Sequence, residues 1–402
     1  MTNADRWLLP EGVEEILPAE ALKLEFLRRQ LLDLYASWGY QLVIPPLIEY
    51  LDSLLVGSSH DLDLHTFKIT DQLSGRMMGI RADITPQVAR IDAHSLNRQG
   101  PVRLCYADNV LHTKPRGLLS SRVPFRVGAE LYGHSGEECD IELIALMYQT
   151  LAAAEVSNIH LVLGHVGIFR TLVNSAKLDA ATERELFEAL QRKAYAEIDA
   201  ILQRAVKDQT LRDLLYQLSR LSGDEDTLDE AIAVFAKAPA NVRREIDELA
   251  TIARGVKQRV PDAVLCFDLC ELRGYEYHTG IVFAAYTPAL GRAVAKGGRY
   301  DDIGEVFGRP RPASGFDCDL QTLVRLSNKS FSFPKTILAP ASAEPGLLAL
   351  IEQLRRDGEV VIGDLGKDGS EQAVLEEMNC DRRIVRKGKD WIVEAITRVH
   401  PN

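Results

Sequence analysis

The periodicity of the sequence changes twice, and this change constrains the fold more than any other feature. Strand patterns run through the first part of the chain and end near residue 165. From about residue 166 to about 260 the pattern is helical and rich in Leu, Ala, Glu and Arg. Strand patterns resume at residues 263–267 and 281–286. We therefore predict one core from residues 1–165 and 261–330, into which residues 166–260 are inserted as a helical block.

Turn residues divide the first segment into short elements. Apolar residues recur at helical spacing over residues 19–38, and Gly39 suits the position after a helix. Residues 41–44 are typical of a strand that Pro45 and Pro46 stop. The remaining predicted elements are a hairpin of residues 66–70 and 77–81, a helix over 86–98, strands at 102–107, 125–132 and 159–163, and a helix over 138–154.

Strand and helix patterns alternate after a linker at residues 330–334. Strands are predicted at 336–339, 360–362 and 383–385, and helices at 345–356 and 370–379. The alternation predicts a small α/β domain over residues 335–402.

Composition excludes several classes of function. The net charge is −11, and such a surface repels nucleic-acid phosphates unless a basic patch is concentrated locally. The short basic clusters around Arg309 and Arg382 are typical of a solvated surface, so no tRNA partner is expected.

No apolar run reaches the roughly 20 residues of a membrane span, and the N-terminal residues lack a signal-peptide pattern. We expect a cytoplasmic protein.

Neither a metal nor a cofactor is expected. The histidines show no HxH or HExxH spacing, and the glycine-rich strings fit neither GxGxxG nor GxxxxGK[ST]. The six cysteines form no CxxC pair, and Cys266 and Cys270 lie beside an apolar strand pattern, which favours buried thiols over metal ligands.

Three groups of residues carry recognisable motifs: 79–86 with 103–106 and 127–133, then 273–277 with the pattern Arg-Gly-x-x-Tyr, then 297–301 with 312–316. In order and separation they resemble motif 2, the histidine-specific element and motif 3 of histidyl-tRNA synthetase. The resemblance covers about residues 8–328. It implies an α+β fold of the class II aminoacyl-tRNA synthetase type, with an antiparallel sheet flanked by helices. Pro45 and Pro46 lie where motif 1 places a dimer-interface proline.

Both ATP-handling positions depart from the synthetase pattern. The arginine that grips the ATP α-phosphate aligns with His112, and the motif 3 arginine aligns with Thr322, preceded by Asp319. Arginine pairs bidentately with phosphate, whereas neutral histidine offers one donor and threonine a short hydroxyl. Arginines that act on phosphoryl charge can contribute about 10³-fold or more in rate. The resemblance therefore fits a synthetase paralogue that does not form an adenylate.

This combination resembles the family of regulatory subunits of short-form ATP phosphoribosyltransferase, which acts first in histidine biosynthesis. The resemblance implies a subunit without catalytic residues of its own. It implies that the chain binds the short catalytic subunit, activates it and mediates feedback inhibition by histidine. It further implies a dimer of this chain within a hetero-octamer. The helical block and the hairpin near residues 60–80 are candidate partner surfaces.

A histidine zwitterion needs acceptors for its ammonium, a cation for its carboxylate and polar partners for its imidazole. Asp83 and Thr85 can accept from the ammonium, Arg273 can take the carboxylate, and Glu130 can accept from an imidazole N–H. Two aromatic residues and two residues that differ from the synthetase pattern complete the predicted site. They are Tyr277 and Tyr300 as flat walls with hydroxyls, His278 in place of a second aromatic, and Arg126 in place of a glutamine.

Each of these residues also has a structural interpretation. Asp83 can be a turn residue before a helix, and Glu130 can be a surface charge on a strand. Arg273 can pair with Glu276 or Asp268, and Tyr277 can be plain core. Gly297-Gly298 alone indicates a tight turn, and the protonation of His278 would matter near neutral pH.

Two alternative functions stay open at this stage. A divergent ligase that activates histidine with ATP would need other cations, for which Lys114, Arg116 and Arg122 are candidates. A nucleic-acid-binding regulator is disfavoured by the acidic balance and by a tail too short for the usual anticodon-binding domain.

Overall fold

The computed structural model describes residues 7–55, 60–115, 117, 120–332, 334–365, 375 and 377–396, with the side chains of residues 60 and 61 excepted. The chain divides into two compact units, Met1–Lys329 and Ser330–Asn402.

The strands are β1 Gln41–Leu42, β2 Ile48–Tyr50, β3 Phe67–Thr70, β4 Met77–Ile80, β5 Val102–Asn109, β6 Phe125–Tyr132, β7 His160–His165, β8 Ser222–Gly223, β9 Val264–Asp268, β10 Ile281–Thr287, β11 Leu290–Arg299, β12 Ala313–Asp319, β13 Thr336–Ala339, β14 Val360–Gly363, β15 Cys380–Lys387 and β16 Asp390–Ala395.

The α-helices are α1 Pro18–Ser37, α2 Leu51–Leu54, α3 His60–His65, α4 Thr85–Arg90, α5 Glu137–Ala153, α6 Val166–Ala176, α7 Ala180–Gln191, α8 Tyr195–Ala205, α9 Gln209–Leu218, α10 Asp226–Val234, α11 Ala240–Arg259, α12 Leu320–Leu326 and α13 Pro345–Arg356. A π-helical segment, Ile91–Leu96, continues α4, and 3₁₀ helices span Phe235–Lys237 and Asp301–Phe307.

Within the described residues, the first unit is built on a nine-stranded sheet in the order β1-β5-β6-β12-β11-β10-β7-β9-β8. Neighbouring strands run antiparallel, apart from the pairs β1–β5 and β7–β9. The chain leaves the sheet after β7 for the helices α6–α11, adds the two-residue strand β8 between α9 and α10, and continues with β9, the parallel neighbour of β7. The strands before and after the helical block therefore share one sheet.

Strand alternation separates the core from the opposite face of the sheet. On β6, Val127 and Ala129 are fully buried in the main core, and Leu131 joins them. Because side chains alternate along a strand, Arg126, Gly128 and Glu130 point to the other face. On the core side, Phe316 of β12 meets Tyr35 of α1 edge to face, with ring centroids 6.2 Å apart. The face opposite this core carries the candidate site.

A three-stranded sheet, in the order β2-β4-β3, lies in the first unit and holds the entry to α4. It is anchored by Arg81, which is 1% exposed. Its Nε donates to the carbonyl of Asn109 (2.8 Å), its Nη1 donates to the carbonyl of Pro45 (2.7 Å), and its Nη2 lies 2.7 Å from Asp108 Oδ2. The fork of one guanidinium thus joins this sheet to the end of β5.

The second unit contains a four-stranded sheet in the order β14-β13-β15-β16. β13 pairs in parallel with β14 and β15, and α13 packs Leu347 against Ile337 and Ile384. The parallel strands and helix agree with the predicted alternation, whereas the hairpin strand β16 was not predicted. Most of the helix predicted over 370–379 lies outside the described residues.

One local interpretation was wrong, and one predicted helix is confirmed in extent but differs in type. Gly297 and Gly298 do not form a tight turn but lie within β11, where each is paired on both sides. The predicted helix over 86–98 is not uniform, since the α-helix gives way to the π-helical segment after Arg90. No helix in the described part of the chain is long and apolar enough to cross a membrane.

Candidate functional site

A cavity of about 300 Å³ lies on the open face of the nine-stranded sheet, beside the entry to α4. Seven of the eight predicted site residues line it, and Arg126 does not. The seven are Asp83, Thr85, Glu130, Arg273, Tyr277, His278 and Tyr300.

The connection between β4 and α4 supplies the first two lining residues. Asp83 Oδ1 accepts backbone N–H bonds from Ile84 (2.6 Å) and Thr85 (3.3 Å). Asp83 therefore caps this turn, as its structural interpretation holds, and it lines the cavity as well. Thr85 begins α4 and donates its hydroxyl to Glu130 Oε1 over 2.8 Å.

Glu130 is the buried acidic centre of the cavity, with 1% of its surface exposed. Besides Thr85, its carboxylate accepts from the hydroxyls of Tyr106, over 3.3 Å, and Tyr300. Burial raises the pKa of Glu130 well above its usual range, and the hydroxyls of Thr85 and Tyr106 oppose the shift. Glu130 is thus not a surface charge on a strand.

Aromatic rings form one wall of the cavity. The rings of Tyr277 and Tyr300 are stacked, with centroids 5.0 Å apart and planes 22° apart. The ring of His278 meets Tyr277 edge to face at 5.2 Å. Glycines make room for these groups, because a Cβ on Gly298 would overlap the His278 ring and one on Gly315 would overlap the Glu130 carboxylate. These two close approaches explain glycine in the middle of strands.

The hydroxyl of Tyr277 is a polar group available to a ligand. It is buried and has no hydrogen-bond partner among the described residues. A buried hydroxyl without a partner loses its hydrogen bonds with water. A ligand nitrogen inside the cavity would supply the missing partner.

His278 is neutral at physiological pH, contrary to the expectation from the sequence. Burial, with a smaller contribution from the charge of Lys296, lowers the pKa of His278 to about 4. Its Nδ1 lies 3.2 Å from the carbonyl oxygen of Arg273. Because a carbonyl only accepts, this contact places the hydrogen on Nδ1 and leaves Nε2 as an acceptor.

Two predicted cations have other partners. Arg273 Nη2 lies 3.4 Å from Glu271 Oε2 and donates to the hydroxyl of Tyr286 over 2.8 Å, so the predicted pairings with Glu276 and Asp268 were wrong. Arg126 forms an ion pair with Asp317, which itself lines the cavity. Arg126 therefore acts on the cavity through Asp317, whose charge it neutralises.

Three charged lining residues were missed from the sequence: Glu271, Lys296 and Asp317. Lys296 stands two residues before Gly298, and Asp317 stands two residues after Gly315. The two residues are direct cross-strand partners. The alternation of strands around the motif glycines would have placed both on the cavity face, had β11 been predicted as a strand.

The positions aligned with the phosphate-binding arginines have structural roles. The buried His112 has its Nε2 3.0 Å from the carbonyl oxygen of Ala82. Thr322 donates its hydroxyl to Asp319 Oδ2 over 2.7 Å in the first turn of α12. Neither residue lines the cavity.

The loop that carries the aromatic wall is attached to the helical block. Arg170 of α6 donates to the carbonyls of Tyr275 (2.8 Å) and His278 (2.9 Å). The hydroxyl of Tyr275 donates to Glu183 of α7 over 2.7 Å. The position of the wall thus depends on both helices.

Comparison with known proteins identifies this architecture. Residues 12–323 match the family model of histidyl-tRNA synthetase, and residues 334–394 match that of the ATP phosphoribosyltransferase subunit HisZ C-terminal domain. A crystal structure from Bacillus halodurans, described as an ATP phosphoribosyltransferase regulatory subunit/histidyl-tRNA synthetase, superposes with a TM-score of 0.82 at 26% identity, over 92% of this chain and 96% of that one. Histidyl-tRNA synthetase from Nostoc sp. PCC 7120 shares the fold, with a TM-score of 0.78 at 18% identity over 97% of each chain.

The fold and the cavity thus define a protein of the histidyl-tRNA synthetase type, and the predicted α+β class II fold is confirmed. Curated relatives narrow the assignment. The ATP phosphoribosyltransferase regulatory subunit of Alkalilimnicola ehrlichii is 54% identical over 396 residues, 98% of each chain. That of Thioalkalivibrio sulfidiphilus is 55% identical over 395 residues, 98% of this chain and 99% of the relative. The chain belongs to the family of ATP phosphoribosyltransferase regulatory subunits, as its motifs predicted.

Proposed function

We propose that this chain is a non-catalytic regulatory subunit of ATP phosphoribosyltransferase in histidine biosynthesis. It binds the short catalytic subunit and activates it. It also binds L-histidine in the cavity and thereby mediates feedback inhibition. The eight site residues predicted from the sequence are proposed as its histidine site, with Arg126 acting through Asp317 rather than by contact.

One observation supports this proposal: seven of the eight residues predicted to bind the amino acid line one cavity, while the residues aligned with the phosphate-binding arginines have other partners. Asp83 and Thr85 offer acceptors for an ammonium group, and Glu130 and Tyr277 offer an acceptor and a hydroxyl for an imidazole. His112 and Thr322 are each bound to a neighbouring oxygen instead. A site with these partners suits a free amino acid better than an adenylate.

The charges around the cavity support the same proposal. Asp83, Glu130, Glu271 and Asp317 line it, against the cations Arg273 and Lys296. Four carboxyl groups beside these two cations and Arg126, which is paired with Asp317, leave no excess of positive charge for a triphosphate, which carries several negative charges of its own. A zwitterion with no net charge meets no such penalty.

The alternative ligase would need cations that replace the missing pair. Arg122 is engaged by its Nε with the carbonyl of His112 (3.0 Å) and by its Nη1 with the carbonyl of Glu11 (3.1 Å). Lys114 is exposed and does not line the cavity, and Arg116 lies outside the described residues. The geometry of the described residues therefore offers no support for the ligase.

Exposed apolar side chains near the two prolines support the proposed dimer within a hetero-octamer. Ile44 is 76% exposed, Leu47 51% and Ile48 43%. Neighbouring exposed apolar groups of this kind mark interaction surfaces more often than scattered ones.

Regulation requires that histidine bind one state of the complex more tightly than the other. Couplings of this kind are typically about 1–3 kcal/mol, and they are reciprocal. Activation by the bare subunit requires a separate preference for the active state of its partner. The two effects can therefore be removed separately.

The test combines this chain with a short catalytic subunit of ATP phosphoribosyltransferase. We expect transferase activity to rise when the chain is added and to fall again when L-histidine is added. The Glu130→Gln variant is the matched control: it should still activate but should require roughly 10- to 100-fold more histidine to inhibit. Activity that ignores the chain altogether would refute the proposed role.

A second assay addresses the non-catalytic assignment. The chain alone, given L-histidine, ATP and labelled pyrophosphate, should give no exchange above background, while a histidyl-tRNA synthetase in the same assay gives a strong signal. Exchange that depends on histidine and is lost in Glu130→Gln would instead establish the ligase.

A further inference from the structure

The turn that carries part of the aromatic wall belongs to no strand. β9 ends at Asp268 and β10 begins at Ile281, so Tyr277 and His278 lie in the connection between them. Glu130, by contrast, is paired on both sides within the sheet, and the strand register fixes its position. The position of the wall therefore depends on contacts that the turn makes with other elements.

The last residues of the turn contact the sheet. Tyr277 stacks on Tyr300, which follows β11, and the backbone N–H of Thr279 donates to the carbonyl of Arg299 over 2.8 Å. The middle of the turn, at Tyr275, contacts the helical block instead.

Tyr275 packs against both α6 and α7. Its ring meets that of Phe169 edge to face, with centroids 5.2 Å apart, and lies 5.5 Å from the ring of Phe187. Its hydroxyl donates to Glu183 over 2.7 Å. An aromatic side chain that packs on two rings and is hydrogen-bonded at its end is held in one place.

Arg170 of α6 adds charge-assisted hydrogen bonds to the same turn. Its Nη2 donates to the carbonyls of Tyr275 (2.8 Å) and His278 (2.9 Å), and the guanidinium carbon lies 5.0 Å from the centroid of the Tyr275 ring. Within the described part of the chain, Arg170 makes no other hydrogen bond and no ion pair. Bonds from a charged donor are roughly twice as strong as neutral ones. One guanidinium thus fixes both ends of the segment from residue 275 to residue 278.

We propose that Arg170 is a positioning residue for the histidine site and holds Tyr277 and His278 where they contact the ligand. The affinity for histidine then depends on helix α6 of the inserted block as well as on the sheet. The inference rests on the proposed function and deepens it. It gives the helical block a part in ligand binding that is separate from its candidate role as a partner surface.

The test measures L-histidine binding to the full-length chain by calorimetry. Arg170→Met removes both bonds to the turn and keeps an unbranched side chain, so the wall loses its fixed position. We expect the affinity to fall roughly 10-fold, the effect of about two neutral hydrogen bonds to the ligand. Arg170→Lys keeps a charged donor and should bind within about threefold of the wild type.

Arg212→Met is the matched control. Arg212 is also a half-buried arginine of the helical block, and its Nη2 donates to the carbonyl of Val206 over 2.7 Å. Its hydrogen bonds in the described structure stay between residues 206 and 212. The control variant should lose thermal stability, as Arg170→Met does, but bind histidine as the wild type does.

A double-mutant cycle with Tyr277→Phe tests whether Arg170 acts through the wall. In the wild type this substitution should weaken binding by about 2- to 12-fold, because it removes one hydrogen bond to the ligand. In Arg170→Met the wall is displaced, so the same substitution should cost less than about twofold. A residue that only stabilises the fold would leave the two effects independent.

Tyr275→Phe is a milder variant of the same contact. It keeps the ring against Phe169 and Phe187 and removes only the bond to Glu183. It should weaken binding by roughly 2- to 5-fold.

The outcomes separate this inference from the proposed function. Wild-type affinity in both Arg170→Met and Tyr275→Phe would overturn the role of Arg170, as would an equal loss in Arg212→Met or independent effects in the cycle. A wild-type chain that binds no histidine, alone or with its catalytic subunit, would refute the proposed histidine site itself and this role with it.

Discussion

Replacing Glu130 by glutamine should weaken histidine binding without unfolding the protein, and it tests the centre of the cavity. The two hydroxyls of Thr85 and Tyr106 both donate to Oε1, and Tyr300 donates to the other oxygen. An amide oxygen can keep the first pair, and the amide nitrogen can donate to the Tyr300 hydroxyl after that hydroxyl rotates. The variant thus keeps its hydrogen bonds but cannot ionise to a carboxylate.

The expected magnitudes differ for binding and for stability. Loss of a charge-assisted bond to the ligand costs about 1.5–3 kcal/mol, or roughly 10- to 100-fold in affinity. The ligand-free protein loses at most about one neutral hydrogen bond, near 1 kcal/mol. It also no longer buries a carboxyl group, and this gain opposes the loss.

The pH dependence of stability shows in which direction the burial of this carboxyl group acts. Below about pH 4 the carboxyl group is protonated in both the folded and the unfolded chain. Because burial raises the folded pKa of Glu130, the unfolded chain releases this proton first as the pH rises. The free energy of unfolding of the wild type therefore falls with rising pH through this group, whereas the variant has no such loss.

Thermal denaturation of both proteins from pH 5 to pH 8, with calorimetric titration of L-histidine, measures both effects. We expect the melting temperature of Glu130→Gln relative to wild type to increase with pH. A variant that binds histidine as tightly as wild type would refute the role of Glu130. One whose relative stability decreases with pH would refute the account of its burial.

Three further predictions concern neighbouring groups. Asp140→Ala should lower the free energy of unfolding by about 3–5 kcal/mol in urea denaturation, because the buried Arg299 would lose its nearest carboxylate, 2.5 Å away, and keep the more distant Asp301, at 3.5 Å; an unchanged midpoint would contradict this. Tyr277→Phe should leave the melting temperature unchanged, since its hydroxyl has no partner among the described residues, yet weaken histidine binding by about 2- to 12-fold; equal affinity would show that the hydroxyl does not reach the ligand. In nitrogen-15 NMR spectra the ring of His278 should stay neutral, with its hydrogen on Nδ1, from pH 5.5 to pH 8; a midpoint near 6.5 would contradict the effect of its burial.

Sequence patterns predicted the parts of the fold that repeat locally. The strand prediction for residues 125–132 coincides with β6, and the helix prediction for 138–154 differs from α5 by one residue at each end. The apolar residues of β6 alternate along the strand and those of α5 recur at helical spacing, so periodicity is sufficient. β11 was missed because Gly297 and Gly298 indicate a turn when read locally, and only strand pairing on both sides explains them.

The site was predicted through its motifs, and the errors lie where partners are distant in sequence. Arg273 donates a hydrogen bond to Tyr286 on β10, and Arg126 forms an ion pair with Asp317, which is almost 200 residues away in the sequence. No spacing rule contains such pairs, because they are set by the register of the assembled sheet. The neutral state of His278 likewise depends on burial and on Lys296, neither of which its own motif reveals.

The bonds from Arg170 and Glu183 to the loop of residues 275–278 have a mechanical consequence. Because one guanidinium donates to two carbonyls of this turn, a movement of α6 displaces the turn. A protein that docks on α6 or α7 and shifts these helices would therefore also shift His278, which lines the cavity. By thermodynamic reciprocity, a ligand in the cavity would then change the affinity for that docked protein by the same factor.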